Sequence, residues 1–329
     1  MGERGASGRA SGRIWPATTE RIRAAAELLA RGALVALPTE TVYGLGASAL
    51  DAEAVVEIFE AKGRPRFDPL ICHVHDLDAV DEIVAELPEA ARILAEAFWP
   101  GPLTLVLPKR AVVPDLVTSG EPTVGVRIPR HPVARALLAA HGRPVAAPSA
   151  NLFGRTSPTR AEHVEAQLGA RVAAILDGGP AQVGVESTIV AALPGQPLRL
   201  LRPGGVPLEA IEAHVGPVRV PPPRAFPSAS PGRAARHYAT RTPLELVAPG
   251  HRAADPARVG RLALRAAPQG YGAVEVLSPT GDLAEAARNL FSALRRLDAS
   301  DVERIEAEAV PETGLGRAIM DRLRRAAAR

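Results

Sequence analysis

The stretch Lys62-Gly63-Arg64-Pro65-Arg66-Phe67-Asp68-Pro69-Leu70-Ile71-Cys72-His73-Val74 compresses a helix end, a stiffened loop and a strand into one short passage. The helix opens at Asp51, a favoured N-cap type, runs through Val55, Val56, Ile58 and Phe59 at helical spacing, and stops at Gly63. Pro65 and Pro69 restrict the loop, and Leu70 to Val74 reads as a strand. A helix handed to a strand through a preset loop is an α/β signature, and the chain on both sides continues it.

Upstream, a helix is predicted over Thr19 to Arg31 and a strand over Leu34 to Leu37, followed by Pro38-Thr-Glu-Thr-Val-Tyr-Gly-Leu-Gly46 as a loop. Downstream, helices are expected near 77–86 and 89–98, strands at Leu103 to Leu107 and Thr123 to Ile128, a helix at 132–140 and a strand at Val145 to Ala147. A helix at Arg160 to Leu168 precedes strands at Val172 to Leu176, Ser187 to Ala191 and Leu198 to Leu201. The interleaving lacks a strict βαβ rhythm, which predicts a twisted mixed sheet with helices packed on it. Residues 1–16 read as a loose tail and 17–217 as one domain, with a proline-rich linker at 218–243. The strands and two amphipathic helices over 244–329 predict a small second α/β domain.

With 47% hydrophobic residues among 329, the chain is not disordered as a whole. The lone Cys72 excludes an intramolecular disulfide and a multi-cysteine zinc site. There is neither an apolar leader core nor an 18-residue apolar run, so a cytoplasmic protein without a membrane span is expected. A net charge of +3 and 3% aromatic residues do not by themselves announce nucleic acid. Lysine occurs only at positions 62 and 109 and asparagine only at 151 and 289, so Lys62 and Asn151 point to geometries that arginine and aspartate do not supply.

No lysine follows a glycine, which removes a Walker A loop, and no G-x-S-x-G elbow is present for Ser149 or Ser187. Gly44-Leu-Gly46-Ala-Ser-Ala49 matches a dinucleotide fingerprint only loosely, because six residues separate it from its strand. His73 and His75 share a strand face without a third ligand nearby, as a metal pair or as a merely polar face. What remains is a set of anion-seeking loops: Lys62-Gly-Arg64 at a helix C-terminus, Pro148-Ser-Ala-Asn151, Thr156-Ser-Pro-Thr159, Glu186-Ser-Thr188 and Leu201-Arg-Pro-Gly-Gly205. Each is open to a plain capping or turn role; together they describe a polyanion site without a P-loop.

In order, PTETVYGLG, KGRPRFDPLICHV, FWPGPLTLVLPK, TVGVRIPRHPV, APSANLFGRTSPT, DGGPAQVGVESTIV and LRPGG make the chain resemble the YrdC-type L-threonylcarbamoyladenylate synthases. SPGRAARHYAT and PETGLGRAIMDRLRRAA resemble the two-domain form of that family, so the likeness spans about 18–329. It implies a YrdC-like twisted mixed sheet followed by a small Rossmann-like α/β domain. It also implies that L-threonine, bicarbonate and ATP, with Mg2+ carried by the ATP, yield threonylcarbamoyl-AMP and pyrophosphate for tRNA modification. By similarity, Thr41, His73, Arg127 and Ser187 would hold threonine, and Arg64, Asp68, Thr123, Ser149, Ser157, Arg202 and Tyr238 the nucleotide. Lys62, Arg64, Ser149 and Asn151 match the family's K-x-R and S-x-N elements and are the expected catalytic groups, and no resident metal site is expected. The intermediate would pass to tRNA threonylcarbamoyl-transferase proteins. Asp68 stands where the family has asparagine, Leu152-Phe153-Gly154 where Ser-Gly is common, Arg233 where methionine is usual and Thr240 where proline is usual. The rival expectation is a double-stranded RNA or tRNA binding module without catalysis, and the linker, with Arg233, Arg236, His237 and Tyr238, is expected to act as a lid over ATP.

Overall fold

Three inner strands of the larger sheet, Val35–Leu37, Leu103–Pro108 and Thr188–Ala191, are too apolar to face water on either side. The computed structural model describes residues 13–221 and 237–328, and among these the larger sheet has ten strands. Their spatial order is Ile14–Pro16, Ala174–Asp177, Val35–Leu37, Gly44–Ser48, Val145–Ala146, Ile71–His73, Thr123–Arg127, Leu103–Pro108, Thr188–Ala191 and Arg199–Arg202. Parallel and antiparallel pairings alternate irregularly, as the missing βαβ rhythm predicts. The register sets Arg127 beside His73 on adjacent parallel strands, which begins the site.

The deciding stretch folds as read. Asp51 accepts hydrogen bonds from the amides of Glu53 and Ala54 at 3.0 and 3.2 Å, and the helix Ala52–Lys62 buries Val55, Ile58 and Phe59. Gly63 closes it in the left-handed conformation, φ 60°. Helices Thr19–Ala30 and Pro132–His141 pack together on the sheet through Ala25, Leu29, Leu137 and Leu138.

Three expectations are corrected. Ile14–Pro16, read as tail, is an edge strand parallel to Ala174–Asp177. Only the polar half of PTETVYGLG is a loop, since Gly44–Ser48 pairs antiparallel with Val35–Leu37. Gly46 permits that pairing: a Cβ there would lie 3.0 Å from both Leu37 Cδ2 and Val145 Cγ1. The helix expected near 77–86 is reduced to the short turn Asp78–Val80. The Arg110 side chain takes the carbonyls of Asp81 and Val84, and Ala85 N bonds Pro108 O, so the backbone groups that a helix would use are spent on a neighbour. A further helix, Leu208–Val215, was not anticipated.

The C-terminal unit is a parallel sheet ordered Leu244–Val247, Arg304–Glu308, Val259–Ala263, Ala273–Val276, with helices Leu283–Ala299 and Gly316–Ala326. Its core of Leu290, Phe291, Leu294, Ile319 and Leu323 also takes in Val42 and Val185 from the larger unit. The two units therefore share buried apolar contacts at the level of the site loops. No helix among the described residues is long and apolar enough to cross a membrane.

Candidate active site

A cavity of about 510 Å³, counting its open mouth, lies where the loops after the central strands meet the C-terminal unit. Thr41, Arg64, His73, Arg127, Ser149, Ser187, Arg202 and Tyr238, eight of the expected catalytic and binding residues, line it together with Thr39, Glu186 and the linker's His237. They come from separate strand ends and loops, brought together by sheet order rather than by sequence proximity.

Each arginine is held by its surroundings. Arg127 donates from Nε to Gly101 O at 3.1 Å and from Nη1 to Thr41 Oγ1 at 2.8 Å, and its Nη2 lies 2.7 Å from Glu40 Oε1. Arg64 donates to the carbonyls of Asp68 and Pro69 at 3.0 and 2.8 Å, and the Asp68 carboxylate meets its Nη2 at 2.9 Å. Arg202 donates to Ser187 O from Nε and Nη2 and to Ser187 Oγ at 3.2 Å. Thr104 Oγ1 shares a 2.8 Å hydrogen bond with that serine hydroxyl. Gly204 makes the closeness of the strand carrying Arg202 possible, because a Cβ there would sit 2.3 Å from Glu186 O and 2.4 Å from Thr188 N.

The carboxylates behind these cations are ionised. Burial pushes the Glu40 carboxyl up, but Arg127 and the Arg130 amide more than reverse this, leaving it below the ordinary value. Burial likewise opposes ionisation of Glu186, yet Arg322, Arg202 and Ser157 bring it down to about 2. Desolvation, joined by repulsion from Arg127, lowers His73 to about 3, and His237 is also lowered to about 3, mainly by burial. Both imidazoles are neutral at pH 7 and act as hydrogen-bonding groups rather than charges.

Five of the expected residues lie outside the cavity lining. Lys62 is buried and donates to the carbonyls of Ser149 and Asn151, so it ties the helix end to the Pro148–Asn151 loop. Burial, then repulsion from Arg64, lowers its ammonium well below the usual lysine range. Asn151 donates to Leu152 O and Arg155 O, and Asp68 sits behind Arg64 as its counterion. Ser157 spends its hydroxyl on Glu186 Oε1. Thr123 lines a second, smaller hollow with Thr104, Thr118 and Glu121, separated from the first by Ile71, which borders both. Residues 222–236, including Arg233 and Arg236, lie outside the described residues. The end of the linker is described: Tyr238 is buried at φ 62°, its ring tilted against Phe291 and edge-on to His237, while Phe153 packs edge-on to His237. Thr240 donates to Thr242 O.

Glu40, Glu186 and Arg322 were missed. The first two lie inside quoted motifs, but no spacing rule links Glu40 to Arg127 or Glu186 to Arg322. Arg322 did leave a signal: it falls on the buried stripe of its helix with Ala318, Ile319, Leu323 and Ala326.

Comparison with known proteins fits this geometry. A family model described as "Telomere recombination" (Sua5/YciO/YrdC) matches residues 27–204, and one described as "Threonylcarbamoyl-AMP synthase, C-terminal domain" matches residues 206–328. The chain belongs to the Sua5 family. Sua5-type relatives include the threonylcarbamoyl-AMP synthase of Pyrococcus abyssi, 46% identical over 320 residues that cover 93% of this chain and 94% of that one. That of Bacillus subtilis is 43% identical, covering 93% of each chain. The crystal structure of P. abyssi Sua5 complexed with L-threonine superposes with a TM-score of 0.89 at 44% identity, covering 94% of this chain and 95% of that one.

Proposed function

We propose that this Sua5-family chain is a threonylcarbamoyl-AMP synthase. The observation that carries the reading is the convergence of Arg64, Arg127 and Arg202 with Thr41, His73, Ser149, Ser187 and Tyr238 in one cavity of a chain related end to end to such synthases. The threonine nitrogen condenses with bicarbonate to a carbamate, releasing water; a carbamate oxygen then attacks the α-phosphorus of ATP, and pyrophosphate leaves. The carbamate and the ATP it attacks are both anions, so the protein's contribution is to neutralise and align them. Guanidinium groups fixed by carbonyls suit that task because they need no reorganisation when charge shifts toward the leaving pyrophosphate. Ser187 is a binding group in this scheme: its hydroxyl contacts Thr104 and Arg202, with no imidazole bonded to it among the described residues.

Magnesium enters as part of the nucleotide substrate, held by phosphates and water. Among the described residues no three His, Cys, Asp or Glu side chains converge on a metal position, and Asp68 and Glu186 are already paired with arginines. The product is a reactive mixed anhydride, which suits transfer to tRNA by partner proteins. Pyrophosphate release from ATP, with threonine and bicarbonate omitted in turn, tests the reading: release is expected only with both. Release indifferent to threonine overturns it, and salt-sensitive RNA binding without any release favours the rival binding module.

A further inference from the structure

We propose that Arg322, from the last helix of the C-terminal unit, is a positioning residue for the nucleotide half of the cavity, acting by neutralising Glu186 and seating Tyr238. This rests on the synthase reading, since it concerns how that same site accepts ATP. Arg322 has no exposed surface, although it is an arginine on an otherwise alanine-rich and aliphatic stripe. Its Nε lies 2.9 Å from Glu186 Oε2, and its Nη1 donates to Pro203 O at 2.6 Å and to Asp321 Oδ2 at 3.0 Å. Its guanidinium lies 5.4 Å from the centre of the Tyr238 ring. One side chain thus touches the loop preceding Ser187, the loop following Arg202 and the end of the linker.

The electrostatic logic follows from what surrounds Glu186. Its carboxylate lines an anion-binding cavity, where an uncompensated negative charge would repel a triphosphate. Facing it are Arg322 from the last helix, Arg202 from its strand, Ser157 from the loop before helix Ala161–Leu168, and His237 with Tyr238 from the linker, while Asp321 pairs with Arg322. Arg202 also bonds the Ser187 carbonyl and hydroxyl, so Arg322 shares with Arg202 the task of offsetting that carboxylate. Removing Arg322 leaves Glu186, among the described residues, Arg202 as its remaining neighbouring cation, pulling that arginine's charge toward the acid and away from the nucleotide.

The test uses the full chain in four forms: wild type, Arg322→Met, Glu186→Gln and the double variant, each measured for ATP affinity by calorimetry and for KM and kcat by pyrophosphate release. Arg322→Met is expected to weaken ATP binding roughly ten-fold or more. The threonine KM should move far less. The double variant is expected to recover most of that affinity, because the stranded charge is gone. A merely structural arginine gives no such rescue, so an unrescued double variant, or equal losses in both substrates, overturns the proposal. If Arg322→Met does not fold, Glu186→Gln still decides: with Arg322 present it is expected to bind ATP at least as tightly as wild type, and weaker binding overturns the proposal. Wild type that binds ATP without threonine-dependent release would refute the synthase reading, while the four ATP affinities would still judge Arg322.

Discussion

Glu40→Gln isolates a charge at nearly constant shape, and the structure sets how much it should cost. The Glu40 and Arg127 side chains are 1% and 4% exposed, so solvent screens the pair little. With charge centres about 4 Å apart and an effective dielectric of about 20, the gross attraction is about 4 kcal/mol. Removing one member of a buried pair generally costs about 3–5 kcal/mol, because the other charge is stranded. Arg127 keeps its bonds to Gly101 O and Thr41 Oγ1, and a glutamine can still accept from the Arg130 amide, which places the expected loss near the low end, about 3 kcal/mol. Urea unfolding of wild type and variant measures it directly. A second signature distinguishes a stranded cation from a packing defect: threonine, a carboxylate, should stabilise the variant more than the wild type, since it supplies the missing counterion. A variant within about 0.5 kcal/mol of wild type, or one that threonine stabilises no better, would refute the reasoning.

Tyr238 Oη has no hydrogen-bond partner among the described residues, so Tyr238→Phe should leave unfolding unchanged yet raise the ATP KM roughly five-fold, read from pyrophosphate-release kinetics. Gly204→Ala would force a Cβ against the Glu186 and Thr188 backbone and should cost about 3 kcal/mol or more in urea unfolding, with activity lost in step. Glu186 has a folded-state value near 2 against an ordinary 4.5, so the stability it contributes is complete above about pH 4.5 and disappears as pH falls toward 2. Glu186→Gln should flatten that part of the acid-unfolding curve.

Helix Ala52–Lys62 was legible to within a residue because its determinants are local: an Asp51 cap, an apolar stripe and Gly63. The 77–86 region was not, because Arg110 diverts its carbonyls from the adjoining strand end. Motif order located the cavity loops, but spacing could not tell which side chains face the cavity and which support it. Lys62 shows the difference. Its rarity singled it out, while its partners, two carbonyls nearly ninety residues along the chain, emerge only once the Pro148–Asn151 loop is folded against the helix end. The paired acids were illegible for the same reason, except that an arginine on the apolar stripe of the last helix could have been flagged as buried and hence paired.

The 136 residues between Glu186 and Arg322 set a clock for synthesis as well as a contact. Chains fold from the N-terminus as they are made, at roughly 5–20 residues per second, so Glu186 waits roughly 7–27 s between its own addition and that of its counterion. The large sheet can assemble in that interval, but the acid beside its cavity has Arg202 and not yet Arg322 to offset it, and the nearby Val42 and Val185 lack the apolar partners supplied by the last two helices. A nascent chain of this protein is therefore expected to carry a nearly complete cavity that takes ATP less tightly until the helix bearing Arg322 docks, so full nucleotide affinity arrives only with the last helix.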